Sequence, residues 1–518
     1  MLPLDRSVPG IDRRAPHQPD FLRKTKRGFK NASAAHSRCG HGGALPLTNV
    51  HMIAACGVGM ASLAGMLKEK GFCVTGSDVN VYPPMSTQLT ELGIPLSSPY
   101  RAENIPEDAG LVIVGNAVSR DNPECLEAVR RGLPLLSMPQ AVAKFFMSGK
   151  ESIVVAGTHG KTTTTSLLAW CLFHLGEDPS FLVGGVPKNF PVSYRVGAGP
   201  RFVIEGDEYD TAYFDKGPKF LHYQPKIVLL TSIEFDHADI YRDLSHLKES
   251  FRKLVRLLPP DGLLIACADY PDVVSVAAEA ASPVVFYAGN PPAAEGHGGD
   301  VWEVGPVFEK GEYTRFVLKR GMEANEFALR LPGRHNAANA AATAITLKHL
   351  GYDAKRAAGA LAGYSGVRRR QEELGEFGGV LVVDDFAHHP TAVRETIRAV
   401  RARYPGRRII AVFEPRSNTS RRKIFQKEFA EALSGADSVI VSGVYGAEKI
   451  PPEERLAPGE VAAAVLACGK EALYLPEVDR IVDRLVATCR PGDLVLIMSN
   501  GGFGSIQGKL AHRFSIDA

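Results

Sequence analysis

No stretch of this chain stays apolar for the roughly 18 residues that a membrane-spanning helix requires, so a helical membrane protein is not expected. Cysteine is scarce and scattered: eight occur among 518 residues (Cys39, Cys56, Cys73, Cys125, Cys171, Cys267, Cys468, Cys489), with no Cys-x-x-Cys pair. That spacing argues against a zinc ribbon and against a disulfide scaffold. The apolar core of a secretory signal is also missing near the N-terminus, and a reducing, cytoplasmic setting is expected. An excess of one charge is lacking too. Residues 1–49 hold nine Lys/Arg against three Asp/Glu, and removing them from the totals of 60 and 57 leaves 51 basic and 54 acidic residues. Such a mildly acidic body has no basic stripe for nucleic acid. The expected partners are small molecules, with no nucleic acid and no membrane.

The first 48 residues contain Pro, Gly, Arg and Lys but few apolar side chains, and such a segment buries too little surface to offset the entropy of ordering. A disordered basic tail is expected there, with an organelle-targeting peptide as the alternative. From Asn49 the pattern changes. NVHMIAACGVGMASLAGMLKEKGFCVTGSD (49–78) reads as strand, glycine turn, helix and strand, a βαβ unit. Apolar runs at 111–114 and 133–136 extend that parallel sheet. A second sheet opens with SIVVA (152–156), and a third is built from VLVVDD (380–385), RIIAVF (408–413), SVIVS (438–442) and LVLIM (494–498). Single hydrophobic cores rarely grow beyond about 300 residues. The expectation is therefore an α/β chain of three domains, each around a mainly parallel sheet: 49–147, 148–362 and 363–518, after the tail 1–48.

AGTHGKTTTTSLL (156–168) carries the strongest chemical signal, because it follows a strand and opens a helical pattern. A glycine turn there aims backbone N–H groups and a helix N-terminus at phosphate oxygens. Gly157, Thr158, His159 and Gly160 form the turn; Lys161 can reach β- and γ-phosphates, the Thr162 hydroxyl suits Mg²⁺, and Thr163 stands beside it. Val155 occupies the position of the first glycine of the usual pattern. Two strands then run into acidic residues, FVIEGDEYD (202–210) and IVLLTSIEFDHADIY (227–241). At the C-terminal edge of a parallel sheet such groups face the ligand crevice. Glu205 is the expected Mg²⁺ ligand, a hard oxygen donor, and His237 is the less direct candidate beside it.

Gly57, Val58, Gly59 and Met60 begin a GxGxxG-like turn with Ser62 in the third glycine position, and Asp78 stands 19 residues after Gly59, near the offset of a ribose-binding acid. This fits a nucleotide diphosphate at a helix N-terminus. An NAD-dependent dehydrogenase also fits it but leaves the phosphate loop at 157–162 unused. LPGRHNAANAAATAITL (331–347) sets Asn336 and Asn339 on one side of a helix start. VDDFAHHP (383–390) ends a strand with two acids and two histidines, and His388 and His389 should point to opposite sides of an extended segment. A cap for the helix beginning at Pro390 is the plain alternative for this pair.

Together GVGM, GTHGKTT, IEGDEYD, SIEFDH, LPGRHNAAN, GVRRRQE (366–372) and DDFAHHP, in this order, resemble the Mur ligase family over about residues 49–510. The resemblance implies a Rossmann-like UDP-sugar-binding first domain, a P-loop ATPase second, and a Rossmann-like third that closes over ATP. It implies ATP and Mg²⁺ as cofactors and ATP-driven amide synthesis through an acyl phosphate. Carried over by position, Lys161, Thr162, Glu205 and His237 line the phosphate and metal site; Asn339 contacts adenine; Arg370, Asp385 and His388 approach ATP from the third domain. EGDEYDTAYFDKGPKFLHYQP (205–225) and SIEFDHADIY (232–241) resemble the branch that joins the tripeptide L-Ala-γ-D-Glu-meso-diaminopimelate to UDP-N-acetylmuramate in peptidoglycan recycling. The alternative is the branch that adds L-alanine to the same sugar nucleotide. A non-catalytic nucleotide-binding scaffold stands further off. A tripeptide brings several carboxylates, and Arg416, at the end of the strand before SNTSRRKIF (417–425), is the expected partner for one of them. Arg421 and Arg422 are expected to face solvent.

Overall fold

The computed structural model describes residues 49–81, 85–289 and 300–516. The expectation of a disordered tail at 1–48 lies outside the described residues. The described chain is built around three large sheets whose strands are the Val- and Ile-rich runs of the sequence. The run Glu151–Ala156, for example, is buried from its second residue to its last, as a parallel strand covered on both faces must be.

The first sheet has the order Leu96–Ser97, Cys73–Ser77, Asn49–Ile53, Ala109–Val114, Leu135–Ser137, all parallel. This is a Rossmann-like arrangement, with helix Val58–Glu69 crossing from the central strand. The second sheet places Glu151–Ala156 between Ile227–Leu230 and Arg201–Gly206. Both acid-tipped strands therefore flank the phosphate-loop strand. Asp300–Lys310, Tyr313–Arg320 and Glu323–Leu329 add an antiparallel meander to one edge, which the sequence reading did not anticipate. Tyr313–Arg320 does alternate partly and fully buried residues, the period-two signature of a strand with one wet face.

In the third sheet the order is Glu372–Phe377, Val380–Asp385, Leu494–Met498, Ile409–Phe413, Ser438–Val441, Glu471–Tyr474, parallel except for the first. The last strand of the chain is inserted between the first two parallel ones, so the order departs from that of a dinucleotide fold. Helix Pro390–Arg403 packs Val393 and Ile397 on one face, while helix Ile506–Ile516 packs Leu510 and Phe514 on the other. Neighbouring strands thus lead to opposite faces, and their loops part to leave a crevice. The segments 386–389, 414–418 and 499–502 border it.

A single arginine ties the third sheet's layer to the meander. Arg403 donates from Nε to Glu309 Oε2 at 2.8 Å, from Nη1 to the Glu312 carbonyl at 2.8 Å, and from Nη2 to the Arg330 carbonyl at 3.1 Å. Its side chain is 10% exposed and that of Glu309 15%. Removing one member of such a shielded pair strands the other. Arg403→Met is therefore expected to cost about 2–3 kcal/mol, read as a lower urea midpoint; an unchanged midpoint would show that the tie contributes nothing.

Candidate active site

Helix Lys161–His174 starts with four threonines, a poor helix-forming run. Burial decides the matter, since all four are buried, and their hydroxyls find partners within and beyond the helix: Thr165 Oγ1 bonds back to the Lys161 carbonyl at 2.8 Å, and Thr162 Oγ1 donates to Glu205 Oε1 on a neighbouring strand at 2.9 Å. No side chain caps the helix start, where Gly160 adopts φ 81° and a Cβ would lie 2.6 Å from Asn339 Oδ1. Gly157, at φ 130°, presses on Thr231 and Ser232 in the same way. The N–H groups of Thr158 and His159 donate to Ser232, both at 2.9 Å, so it is the uncapped helix start from Gly160 onward that faces phosphate.

Lys161 Nζ donates to the Gly157 carbonyl at 2.6 Å and to Glu208 Oε1 at 2.9 Å. His237 Nε2 lies 3.0 Å from the same oxygen, and Tyr241 Oη donates to the Glu208 carbonyl at 2.7 Å. Glu208 is fully buried and serves both cationic groups. Burial opposes the charge on His237, but the hydrogen bond and charge of Glu208 outweigh it and raise its pKa. Burial likewise opposes the charge on Lys161, and Glu208 and Asp207 outweigh it. Glu205 behaves differently: burial raises its pKa against the pull of Lys161 and the Gly184 N–H. A carboxylate held so, with Thr162 Oγ1 beside it, gains from a bound cation. Glu205 and Thr162 accordingly form an oxygen donor set suited to Mg²⁺.

From the third domain, Arg370 Nη2 reaches 3.5 Å from Thr162 Oγ1, and its guanidinium lies 4.6 Å from the centre of the Phe386 ring. Asp385 accepts the N–H of Gln371 and of Ala387, both at 2.7 Å, and so shapes the loop rather than pointing outward. His388 Nε2 lies 3.6 Å from Asp236 Oδ2, and Thr419 Oγ1 donates to Asp236 Oδ1 at 2.6 Å. Arg416 lies 3.7 Å from the centre of the Tyr445 ring and 3.6 Å from Glu414. Arg421 and Arg422 do not simply face solvent, as expected; Arg421 binds Asn418 and the Tyr445 carbonyl, and Arg422 pairs with Glu454.

A cleft of about 1020 Å³ gathers these groups. Its lining includes Thr158, His159, Gly160, Lys161, Thr162, Thr163, Glu205 and His237 of the central domain, with Asn336 and Asn339, which are 3.4 Å apart (Nδ2 to Oδ1). Arg370, Asp385, His388 and Arg416 line it from the third domain, and Val58 and Gly59 from the first. Gly57, Met60, Asp78 and Gly157 lie outside that lining, Gly157 being pressed against Thr231 and Ser232. Met60 is buried in the core, and both Asp78 oxygens are occupied by the N–H groups of Cys56 and Asn80, at 2.8 and 2.9 Å. The sequence reading overlooked Glu208, whose only signal was its place in an acidic run, and Glu234, which lies 2.7 Å from His159 Nε2.

His389 bears out the helix-cap alternative: its Nδ1 accepts the Thr391 N–H at 3.3 Å. Burial, then the neighbouring His159, lowers its pKa to about 3. An unfolded histidine takes a proton near pH 6.5. Between those values the unfolded chain binds the extra proton, so this contribution to stability is complete above about pH 6.5 and is lost as pH falls toward 3. His389→Asn keeps a cap acceptor and should flatten the fall of the unfolding midpoint between pH 7 and 5, by up to about 1.4 kcal/mol per pH unit. An identical slope in both proteins would contradict this.

Three family descriptions match successive parts of the chain: "Mur ligase family, catalytic domain" over residues 49–149, "Mur ligase middle domain" over 155–347, and "Mur ligase, glutamate ligase domain" over 369–501. The UDP-N-acetylmuramate–L-alanyl-gamma-D-glutamyl-meso-2,6-diaminoheptandioate ligase of Escherichia coli K12 is 40% identical over 89% of this chain and 97% of its own length. A UDP-N-acetylmuramate–L-alanine ligase of Carboxydothermus hydrogenoformans is 35% identical over 89% of this chain and 96% of its own. Among solved structures, a murein peptide ligase from Psychrobacter arcticus superposes with a TM-score of 0.68 at 32% identity, covering 90% of this chain and 99% of that one. The chain belongs to the Mur ligase family.

Proposed function

We propose that this protein is an ATP-dependent amide ligase that joins L-alanyl-γ-D-glutamyl-meso-diaminopimelate to the lactyl carboxylate of UDP-N-acetylmuramate, the reaction of peptidoglycan recycling. The observation that carries the chemistry is the cleft in which Lys161, Thr162 and Glu205 of one domain face Arg370 and His388 of another. The choice of amine rests on the higher identity to the tripeptide-adding relative, 40% against 35% for the alanine-adding one.

A carboxylate does not condense with an amine in water unless it is activated. In the proposed reaction the γ-phosphoryl group of ATP passes to the lactyl carboxylate, the amine attacks the acyl carbon, and phosphate leaves. Lys161 and Arg370 offset charge on the transferring oxygens. Thr162 and Glu205, with His237 at their side, would hold Mg²⁺, which neutralises charge on the phosphates when bound. Glu208 keeps Lys161 and His237 in place. Asn339 offers its amide edge to adenine, steadied by Asn336, which is itself bonded to the Pro332 carbonyl and Gln371, and the turn at Gly57–Met60, with Val58 and Gly59 on the cleft, takes the UDP diphosphate. Asp78 supports that turn from behind. Arg416 receives a carboxylate of the tripeptide. The third domain, 363–518, closes against 148–362 and excludes water that would hydrolyse the acyl phosphate.

Phosphate release should require ATP, Mg²⁺, UDP-N-acetylmuramate and an amine together. ATP binding with no release under any combination would favour a non-catalytic scaffold, and quenching of NADH fluorescence on binding would favour a dehydrogenase.

A further inference from the structure

His159 of the phosphate loop and Glu234, both from the central domain, converge with His389 of the third where the two domains meet, and the His159 ring is turned toward Glu234, 2.7 Å away. Their ligand atoms all lie within 4.8 Å of one another. The imidazole rings of His159 and His389 are 4.7 Å apart between centroids. We propose that His159, Glu234 and His389 form a binding site for a divalent transition ion of the Zn²⁺ or Co²⁺ class, separate from the oxygen-rich Thr162–Glu205 site, and that the bound ion clamps the third domain to the central one.

The donor set is what sets this ion class apart. Two imidazoles and one carboxylate suit Zn²⁺ and Co²⁺, whereas Mg²⁺ prefers oxygen alone. The surroundings already orient the ligands. His389 Nε2 lies 3.2 Å from the Phe235 carbonyl, which can only accept, so Nε2 carries the proton and the lone pair is on Nδ1. A ring nitrogen anchored to a carbonyl is the usual outer support of a metal-bound histidine, and Nδ1, which accepts the Thr391 N–H at 3.3 Å, exchanges that contact for the ion on binding. Glu234 is steadied in the same manner: Thr391 Oγ1 donates to its Oε1 at 3.0 Å, and its Oε2 faces His159 Nε2 at 2.7 Å.

Tetrahedral coordination puts ligand atoms about 3.4 Å apart. Side-chain rotations of an ångström or so therefore suffice, with the ion replacing the proton now shared by His159 and Glu234 and that proton released to solvent. His159 and Glu234 line the cleft, so a water completes the fourth position from that side. Because the ligands come from two domains, an ion held here stabilises their closed contact and slows any reopening.

The full chain should be titrated with Co²⁺ in excess Mg²⁺, following visible absorption and heat. One Co²⁺ per chain should bind, with the intense visible bands of a tetrahedral nitrogen–oxygen site, and Zn²⁺ should displace it. His389→Asn, which keeps the helix cap, and Glu234→Gln should each weaken binding at least tenfold. His222→Asn, which alters a histidine paired with Asp215 elsewhere, should leave it unchanged. Zn²⁺ should raise the melting temperature of the unaltered chain and not that of His389→Asn. Absence of the visible bands in the unaltered chain, which requires no variant to fold, would overturn the proposal, as would equal affinity in His389→Asn. Either result would leave the ligase reading intact.

Discussion

Replacing Lys161 by alanine should lower phosphate release by a hundredfold or more while UDP-N-acetylmuramate binding stays near that of the unaltered enzyme. The ammonium group sits at the mouth of the phosphate loop, 2.6 Å from the Gly157 carbonyl and 2.9 Å from Glu208, and its side chain is 12% exposed. In so shielded a position a fixed charge acts on the transferring phosphoryl group without reorganising solvent, and loss of one such group typically costs about 3–4 kcal/mol of transition-state stabilisation. The substitution also leaves Glu208 with His237 as its remaining partner. A collapse of the fold would mimic the loss, and UDP-sugar binding by calorimetry separates the two. Turnover close to normal in Lys161→Ala would remove this loop from the chemistry.

The second large effect is expected at Arg416. Its guanidinium is stacked on Tyr445 and balanced by Glu414, and it lies so close to Gly501 that a Cβ there would fall 1.8 Å from its Nε. Held in this setting Arg416 lines the cleft, where its planar fork suits bidentate capture of a carboxylate. Arg416→Ala should lower kcat/KM for the tripeptide by about 1.5–3 kcal/mol, roughly ten- to 150-fold, with the KM for ATP barely changed. A rise in the KM for ATP with unaltered tripeptide use would instead place Arg416 at the nucleotide.

What could be read from the sequence was local. The phosphate loop announced itself because a strand, a glycine turn and a helix start within 20 residues fix the geometry of Gly157, Lys161 and Thr162 without help from elsewhere. The strand-end acid Glu205 was legible for the same reason, because a parallel strand delivers its last residues to one edge; His237, seven residues beyond the strand Ile227–Leu230, was marked only by the acidic run around it. Pairings across long separations were not. Thr419 meets Asp236 and Arg403 meets Glu309 only once two domains have docked, and no periodicity encodes that. The insertion of Leu494–Met498 between Val380–Asp385 and Ile409–Phe413 is equally invisible, since parallel strands give no register signal in the loops between them. Asp78 shows the converse hazard. Its spacing matches a ribose ligand, yet its two oxygens hold the backbone N–H groups of Cys56, in the turn, and of Asn80, in its own loop, a role that spacing alone does not separate from ligand binding.

Ligation of the tripeptide is read out by incubating the enzyme with ATP, Mg²⁺ and UDP-N-acetylmuramate, offering either the tripeptide or L-alanine, and weighing the product by mass spectrometry. A UDP-N-acetylmuramoyl-tripeptide should form with release of one phosphate per bond, with little product from L-alanine. Efficient formation of UDP-N-acetylmuramoyl-L-alanine with poor use of the tripeptide would contradict this.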